Sequence, residues 1–503
     1  YGNNGGRTEL NVHTRQNVGR QWATTVMAHA EYNDLQTDHN HDGFMDNPLK
    51  KDIILRNAWK FFGDRGMEGE YQITGLASTS VSGQTDSHAE NLHHAWRANL
   101  DSKHIEASAK TGYVFPFQDW RSIGTQFSGE WHEQDATFGH RTYSGLQQTF
   151  RANVLYASIF GNTDHKFTTG ATFVFDHYDE TLDTTRYIRT ERVPGAYFEY
   201  TWNNTERHTL VIGMRADYHN LFGWFYSPRV HFRKSLTENT VAKFAVGRAY
   251  RTANIIAENM GQLASSRLWN IRSLPGIAGF GLNPEVAWNG GINVLHKFRL
   301  NYRDASISLD FYRTQFENQI VTDLEDVRSV RFYNLTGNSF SNSAQAEFSW
   351  SPARRVDLRL AYRYLDVQAD LVDGKVTLPM ISKHRGFMNL AYETKKNIKN
   401  GLWKFDATIQ WIGAVRLPST AENPAEWQLA NRSDDYLNLN AQITRVFNDR
   451  FEVYLGGENI TNYRQPQAII DPENPFGNYF DASLMWGPVF GAMAYAGLRW
   501  AIN

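Results

Sequence analysis

The stretch Leu402-Trp-Lys-Phe-Asp-Ala-Thr-Ile-Gln-Trp-Ile412 sets Trp403, Phe405, Ala407, Ile409 and Trp411 on one face and Lys404, Asp406, Thr408 and Gln410 on the other. Successive side chains of a strand point to opposite faces, so this two-residue period describes a β-strand lying between an apolar and a polar environment. The same rhythm recurs from Tyr436, where Leu437, Leu439, Ala441 and Ile443 oppose Asn438, Asn440, Gln442 and Thr444. It recurs again in Val356, Leu358, Leu360, Tyr362 and Tyr364 against Asp357, Arg359, Ala361 and Arg363. Ala305, Ile307, Leu309 and Phe311 oppose Ser306, Ser308 and Asp310, and Ala344, Ala346, Phe348 and Trp350 oppose Gln345, Glu347 and Ser349.

A soluble sandwich alternates too, and two features separate it from a membrane barrel. The periodic runs are commonly 10 to 14 residues, whereas globular strands average about 5 to 6. The connections also alternate in length. Asn448-Asp-Arg450, 203–206 and 351–355 are short, while 251–284, 413–435 and 462–487 are long. Short turns at one end and long loops at the other describe an outer-membrane barrel, with periplasmic turns and extracellular loops. Trp350, Trp403 and Trp411 sit where interfacial girdles are expected.

Composition closes off other classes. Aromatics make up 14% of the 503 residues (15 Trp, 24 Tyr, 31 Phe), and there is no Cys. Mean hydropathy is −0.53, too low for a bundle of spanning helices that each need about 20 mostly apolar residues. The uncharged stretch Ala482–Leu498 is broken by Gly487, Pro488, Gly491 and Gly497, so it reads as a turn and a strand. A net charge of −2 gives no electrostatic footprint for nucleic acid. Without cysteine, a disulfide scaffold, a thiolate metal site and a Cys nucleophile are excluded.

The expected fold is all-β: one transmembrane antiparallel barrel over residues 1–503, with about 21 strands in this chain. These include runs at 304–323, 331–350 and 489–502. Single-chain bacterial barrels have even strand numbers. With 16–20 as a periplasmic turn, the first and last strands run the same way. The complete barrel is therefore expected to have 22 strands, with its first strand and an N-terminal plug domain absent from this sequence. A barrel this wide cannot be filled by its own side chains.

The sharpest local motif is Thr37-Asp-His-Asn-His-Asp-Gly-Phe-Met-Asp46. Asp38, Asn40, Asp42 and Gly43 match the start of an EF-hand loop, Phe44 offers a backbone carbonyl, and Asp46 takes the ninth position. Leu49 stands where that loop has its bidentate Glu. Ca²⁺ bound in loop 37–52 is the expected cofactor. The alternatives are a solvated acidic turn, or a transition metal on His39 and His41. Candidate ligand contacts are Arg251, Asn254, Arg267 and Trp269 on the longest loop. Trp224 and Tyr226, in an aromatic run, either stack on a flat ligand or belong to the girdle; the girdle is the preferred reading. The 17 histidines, including His93 and His94, show no strong metal spacing. No nucleophile elbow or phosphate loop is present, so no enzyme is expected.

Gly457-Glu-Asn-Ile-Thr-Asn-Tyr463 resembles the end of the penultimate strand of TonB-dependent outer-membrane receptors. Trp486-Gly-Pro-Val489 with Tyr495-Ala-Gly-Leu-Arg-Trp500 resembles their closing strand, and Arg251-Thr-Ala-Asn254 stands in place of a Lys/Arg-Ala-Pro-like loop opening. The likeness covers essentially the whole chain as pattern. It implies a 22-strand barrel in the outer membrane of a Gram-negative bacterium, in contact with outer-membrane lipid. It also implies a plug through which the TonB–ExbB–ExbD complex supplies energy, and it leaves room for a surface lipoprotein partner. The closing segment resembles Bacteroidetes receptors, and the acidic loop resembles that of cobalamin transporters. The expected function is active import of a scarce, bulky nutrient, cobalamin first. A ferric siderophore or haem receptor is the alternative, followed by a passive porin-type channel.

Overall fold

The computed structural model describes residues 1–88, 95–204, 207–372, 374–398 and 400–502. His93 and His94 lie outside the described residues. The chain forms one antiparallel β-barrel of 22 strands, with one further strand, Gly374–Thr377, folded back on Val356–Leu371. Each of the 21 expected runs contributes a barrel strand. The remaining position is taken by Gly2–Asn3, which bridges Thr8–Val18 (Gly2↔Thr8) and Met493–Trp500 (Gly2↔Ala496, Asn3↔Tyr495). A two-residue strand is too short to show a period, so the alternation marked no run over those residues.

Neighbouring strands place like faces in register. Leu439 opposes Ile409, Ile409 opposes Met388, Met388 opposes Leu360, and Leu360 opposes Phe348. Ile409 is 37% and Leu437 50% exposed to the surroundings, so the apolar face is the outer one, where lipid is the solvent. The polar face lines the lumen and bonds to itself. Asn389 Nδ2 donates to Thr408 Oγ1 (2.9 Å), and the Tyr495 hydroxyl donates to Gln442 Oε1 (3.0 Å). At the short-turn end aromatic rings meet across strands, with Trp22 beside Trp59 (6.3 Å) and Tyr392 beside Phe405 (6.0 Å). The Asn301-Tyr302 turn has both residues at positive φ (52° and 60°), the backbone that lets a tight hairpin follow the twist of its strands.

Strand length varies around the ring. Leu402–Ile412 has 11 residues, but Arg141–Ile159 has 19 and Thr185–Asn204 has 20. At about 3.3 Å per residue and a tilt of about 40°, twenty residues rise about 50 Å, twice the roughly 25 Å apolar band of an outer-membrane barrel. The longer strands therefore project beyond the membrane at the long-loop end and carry the loops above it.

Two of the expected strands divide. The run at 304–323 becomes Arg303–Asn318 and Ile320–Asp323, and 331–350 becomes Ser329–Asn334 and Ser339–Ala353. Ile320–Asp323, Ser329–Asn334 and Leu268–Ile271 form a separate three-stranded sheet, in which Leu268–Ile271 runs parallel to Ser329–Asn334. Alternation continues through the exit point, so the period alone did not reveal where the chain leaves the wall. Among the described residues, helix is limited to single turns such as Ile255–Glu258 and Met260–Leu263.

Candidate functional site: the loop cap

The long loops fold together over the mouth. Their core brings Phe44, Trp96, Phe138, Ile256, Leu263, Phe280, Phe332, Ile469 and Phe480 into one buried cluster. Ile256 and Phe332 are completely buried. Phe480 stacks on Phe44 (5.8 Å) and leans on Trp96 (5.0 Å). These residues come from loops rooted far apart around the ring, so apolar burial rather than backbone pairing pulls the cap together.

Arg267 is the polar hinge of that assembly. Its Nε donates to Asp481 Oδ2 (3.0 Å), with the two side chains 2% and 6% exposed. Nη1 donates to the Leu324 carbonyl (3.0 Å) and the Asp326 carbonyl (3.3 Å). Arg141 in turn donates to the Arg267 carbonyl (3.3 Å). A guanidinium with planar, fixed donors can join three chain segments at once, and burial strengthens each bond. Bridges Ser265↔Asp481 and Ile470↔Asp481 seal the joint.

The other candidate contacts separate into two groups. Arg251 pairs with Glu285 (Nε–Oε2 2.5 Å) and, through both terminal nitrogens, with Glu258 (3.1 and 2.9 Å). Asn254 caps the Ile255–Glu258 turn by accepting from Ala257 N and donates to Glu180 Oε2 (3.1 Å). Trp269 packs on Phe332 (4.8 Å). Its indole N–H is buried without a partner. Arg251, Asn254, Arg267 and Trp269 thus belong to the cap. Trp224 and Tyr226 do not: they pair with Tyr218 and Ala216 on the face of Ile212 and Val230, and Trp224 is 61% exposed. That is the outer face near the rim, where the girdle reading places them.

Beneath the longest loop the upper wall carries buried charge that the sequence reading did not pick out. Glu191 binds Arg189 (2.7 Å), His219 (3.3 Å) and the Thr252 hydroxyl (2.9 Å). Arg189 also donates to the Ala253 carbonyl and lies over the Tyr178 ring (4.5 Å). Glu180 accepts from Tyr143 (2.9 Å) and Asn254. These side chains alternate with outward ones like any lumen residue, so nothing local marked them as the seat of a loop.

In the acidic loop, Gly43 has φ +82°, and a Cβ there would meet the His88 ring at 2.3 Å. The turn allows Asp38 Oδ2 to accept from Gly43 N (3.0 Å), Asp42 Oδ1 from Phe44 N (2.9 Å), and Asp42 Oδ2 from the Asn40 amide (2.8 Å). Asp46 Oδ2 accepts from His39 N (2.9 Å) and lies 2.7 Å from His39 Nδ1. Four buried oxygens are left without a partner: Thr37 Oγ1, Asp38 Oδ1, Asn40 Oδ1 and Asp46 Oδ1. The Asp46 side chain is fully buried. Orphaned buried acceptors are costly. Burial, reinforced by the Asp38 and Asp46 charges, pushes the Asp42 carboxyl above the ordinary range against the bonds from Phe44 and Asn40. Among the described residues no three His, Asp or Glu side chains converge as a metal centre; the orphaned set mixes carboxylate, amide and hydroxyl. Thr37 was not anticipated. Phe44 turns its ring into the cap core. Arg464 ties the loop to the cap by donating to the His39 carbonyl (2.7 Å).

The family model of the TonB-dependent receptor-like β-barrel matches residues 5–460. The chain belongs to this family. The receptor accordingly lies in the outer membrane of a Gram-negative cell. A probable TonB-dependent siderophore receptor, PirA of Acinetobacter baumannii, is 26% identical over 153 residues, covering 29% of this chain and one fifth (20%) of that protein's length. Among solved structures, the ferric-catecholate import receptor Fiu of Escherichia coli K12, in its closed form, superposes with a TM-score of 0.73 at 11% identity, over 99% of this chain and 80% of Fiu. The ferric enterobactin receptor PfeA of Pseudomonas aeruginosa gives 0.72 at 12% identity, over 98% and 77%. At such identities these likenesses describe the fold.

Proposed function

We propose that the receptor imports a ferric siderophore across the outer membrane with energy from the TonB system. The carrying observation is the interlocked cap, in which Arg267 and Asp481 join loops from distant walls above a wide polar lumen. A passive channel gains nothing from a closed mouth. A receptor that holds a scarce ligand while its lumen is remodelled needs one, because closure commits the ligand and excludes water. The related proteins favour the ferric siderophore alternative over cobalamin, since those named above are siderophore, ferric-enterobactin and ferric-catecholate receptors. Cells carrying the receptor as their sole high-affinity route should take up radiolabelled ferric siderophore, and should stop when TonB is removed. Uptake of labelled cyanocobalamin without uptake of iron would return the cobalamin reading to first place.

Loop 37–46 is proposed to hold Ca²⁺ through Asp38, Asn40 and Asp46, with the Thr37 hydroxyl and the Phe44 carbonyl, while Asp42 orders the turn. Support comes from the orphaned oxygens: all are hard donors suited to Ca²⁺ rather than to a transition metal. The ion would neutralise the cluster and stiffen the loop against the cap, so ligand affinity should rise with calcium through preorganisation. Calcium titration by calorimetry of the parent and of Asp38→Ala/Asp46→Ala tests the site; equal heats from both would overturn it.

A further inference from the structure

The longest loop leaves the wall through Thr252, Ala253 and Asn254, and each of these residues is gripped by a different charged side chain. The Thr252 hydroxyl donates to Glu191 Oε2 (2.9 Å), Arg189 Nη1 donates to the Ala253 carbonyl (3.2 Å), and Asn254 Nδ2 donates to Glu180 Oε2 (3.1 Å). Glu180, Arg189 and Glu191 are all buried. They stand toward the long-loop ends of His165–Leu182 and Thr185–Asn204, above the membrane band. Asn254 also caps the Ile255–Glu258 turn, and its own N–H donates to Glu258 Oε1 (3.0 Å). The clasp therefore fixes the start of the loop.

Its two carboxylates differ. Burial opposes the charge on Glu191, but the contacts from His219 (3.3 Å), Arg189 (2.7 Å) and Thr252 outweigh it and hold that carboxyl below the ordinary range. Glu180 accepts from two neutral donors, Tyr143 on Oε1 (2.9 Å) and Asn254 on Oε2. Burial pushes the Glu180 carboxyl above the ordinary range, against these bonds and the Arg189 charge. Tyr187 opposite it and Tyr178 on its own strand are kept neutral by burial. Across Asn254, Glu258 is paired with Arg251.

A proton on Glu180 Oε1 costs neither bond. The Tyr143 hydroxyl turns from donor to acceptor, which a hydroxyl does freely, and Oε2 still accepts from Asn254. Lifting the loop hydrates Glu180 and favours its charged form again. We propose that closure of the longest loop onto the wall is coupled to uptake of one proton by Glu180, so that the cap holds more tightly in an acidic medium than in a neutral one. The closed loop binds this proton more tightly than the open one. Its stabilisation is complete below the ordinary carboxylate pKa and is lost as pH rises through the raised value. The coupling is independent of the ligand carried.

The test is amide exchange of residues 255–263 in the full-length receptor, corrected for intrinsic exchange and compared between about pH 4.5 and pH 8. Parent protection should rise about three- to tenfold toward the acidic end. Glu180→Gln, an isostere of the protonated side chain, should show the acidic level of protection at every pH. Glu180→Met should also lose the slope, at lower protection, and serves if Glu180→Gln fails to assemble by heat-modifiable gel mobility. Glu191→Gln should lower protection throughout and keep the slope. A parent without a slope, or a slope that survives in both Glu180 variants, overturns the coupling. A slope that vanishes in His219→Gln but not in the Glu180 variants assigns the proton to the imidazole and overturns it equally.

Discussion

In the wall, Ile409 faces out opposite Leu439 and Met388 while its neighbours Thr408 and Gln410 face a wet lumen. In the cap, Ile256 and Phe332 are completely buried, and buried Arg267 serves three chain segments. The wall is built by backbone pairing between strands that are mostly sequence neighbours, with lipid on one side and water on the other. The cap is built like a small soluble core, from apolar side chains contributed by separated loops. The first kind of structure resists local change because each strand is bonded on both sides. The second is held by side-chain contacts, so it is expected to loosen at lower cost than the wall.

That contrast can be broken in four ways. The largest effect is expected at the cap joint. Arg267→Met leaves Asp481 buried and uncompensated and deprives the Leu324 and Asp326 carbonyls, a loss of about 3–5 kcal/mol. Amide exchange should accelerate through 252–284 and 462–490 while heat-modifiable mobility of the barrel stays unchanged. If barrel unfolding shifts by the same amount, cap and wall are a single cooperative unit.

Next comes the wall. Ile409→Lys or Leu439→Lys places a charge on the lipid face at a cost of about 2–4 kcal/mol near the midplane, and assembly yield should fall. Asn440→Lys on the lumen side should be mild. Comparable losses at positions 439 and 440 would reverse the face assignment.

Calcium should act on the cap alone and more gently. With a dissociation constant of about 10⁻⁴–10⁻³ M, as in extracellular modules, millimolar calcium stabilises by about 0.4–1.4 kcal/mol. Chelation should speed exchange around 37–46 and leave the strands unaffected. A uniform response across wall and cap would show that the ion binds elsewhere.

The smallest expected effect concerns Asp471, in the loop that carries Asp481. Burial, with help from Glu426 and Glu473, raises its carboxyl above the ordinary range. A raised carboxylate pKa means that the folded loop holds its proton more tightly than the unfolded chain. Stability of that loop is therefore greatest below the ordinary carboxylate pKa and declines as pH rises through the raised value. Asp471→Asn should flatten this slope in amide exchange compared between about pH 4 and pH 7. An unchanged slope would assign it to another group.

The wall was legible because its rule is local. Any eleven residues such as Leu402–Ile412 show period two, and 21 runs together imply closure. Gly2–Asn3 was too short to carry that signal, and Ile320–Asp323 carried it without belonging to the wall. The acidic loop was visible because Asp38, Asn40, Asp42 and Gly43 repeat at fixed spacing; Thr37 was missed because it lies outside that spacing. Asp481 was invisible beside Arg267, since 214 residues separate them and neither neighbourhood has a period.

The order of residues alone carried the strand period, the lipid and lumen faces, the alternation of short turns with long loops, and hence a 22-strand outer-membrane barrel. Each follows from side-chain polarity read against two solvents, a property that every residue carries locally. Which loops meet over the mouth and the role of Arg267 as their joint were settled by tertiary contact, as was the outward position of Trp224 and Tyr226 at the rim. Those facts depend on closure of the ring and on strand register, which bring residues hundreds of positions apart within a few ångströms, and no local pattern encodes such distances.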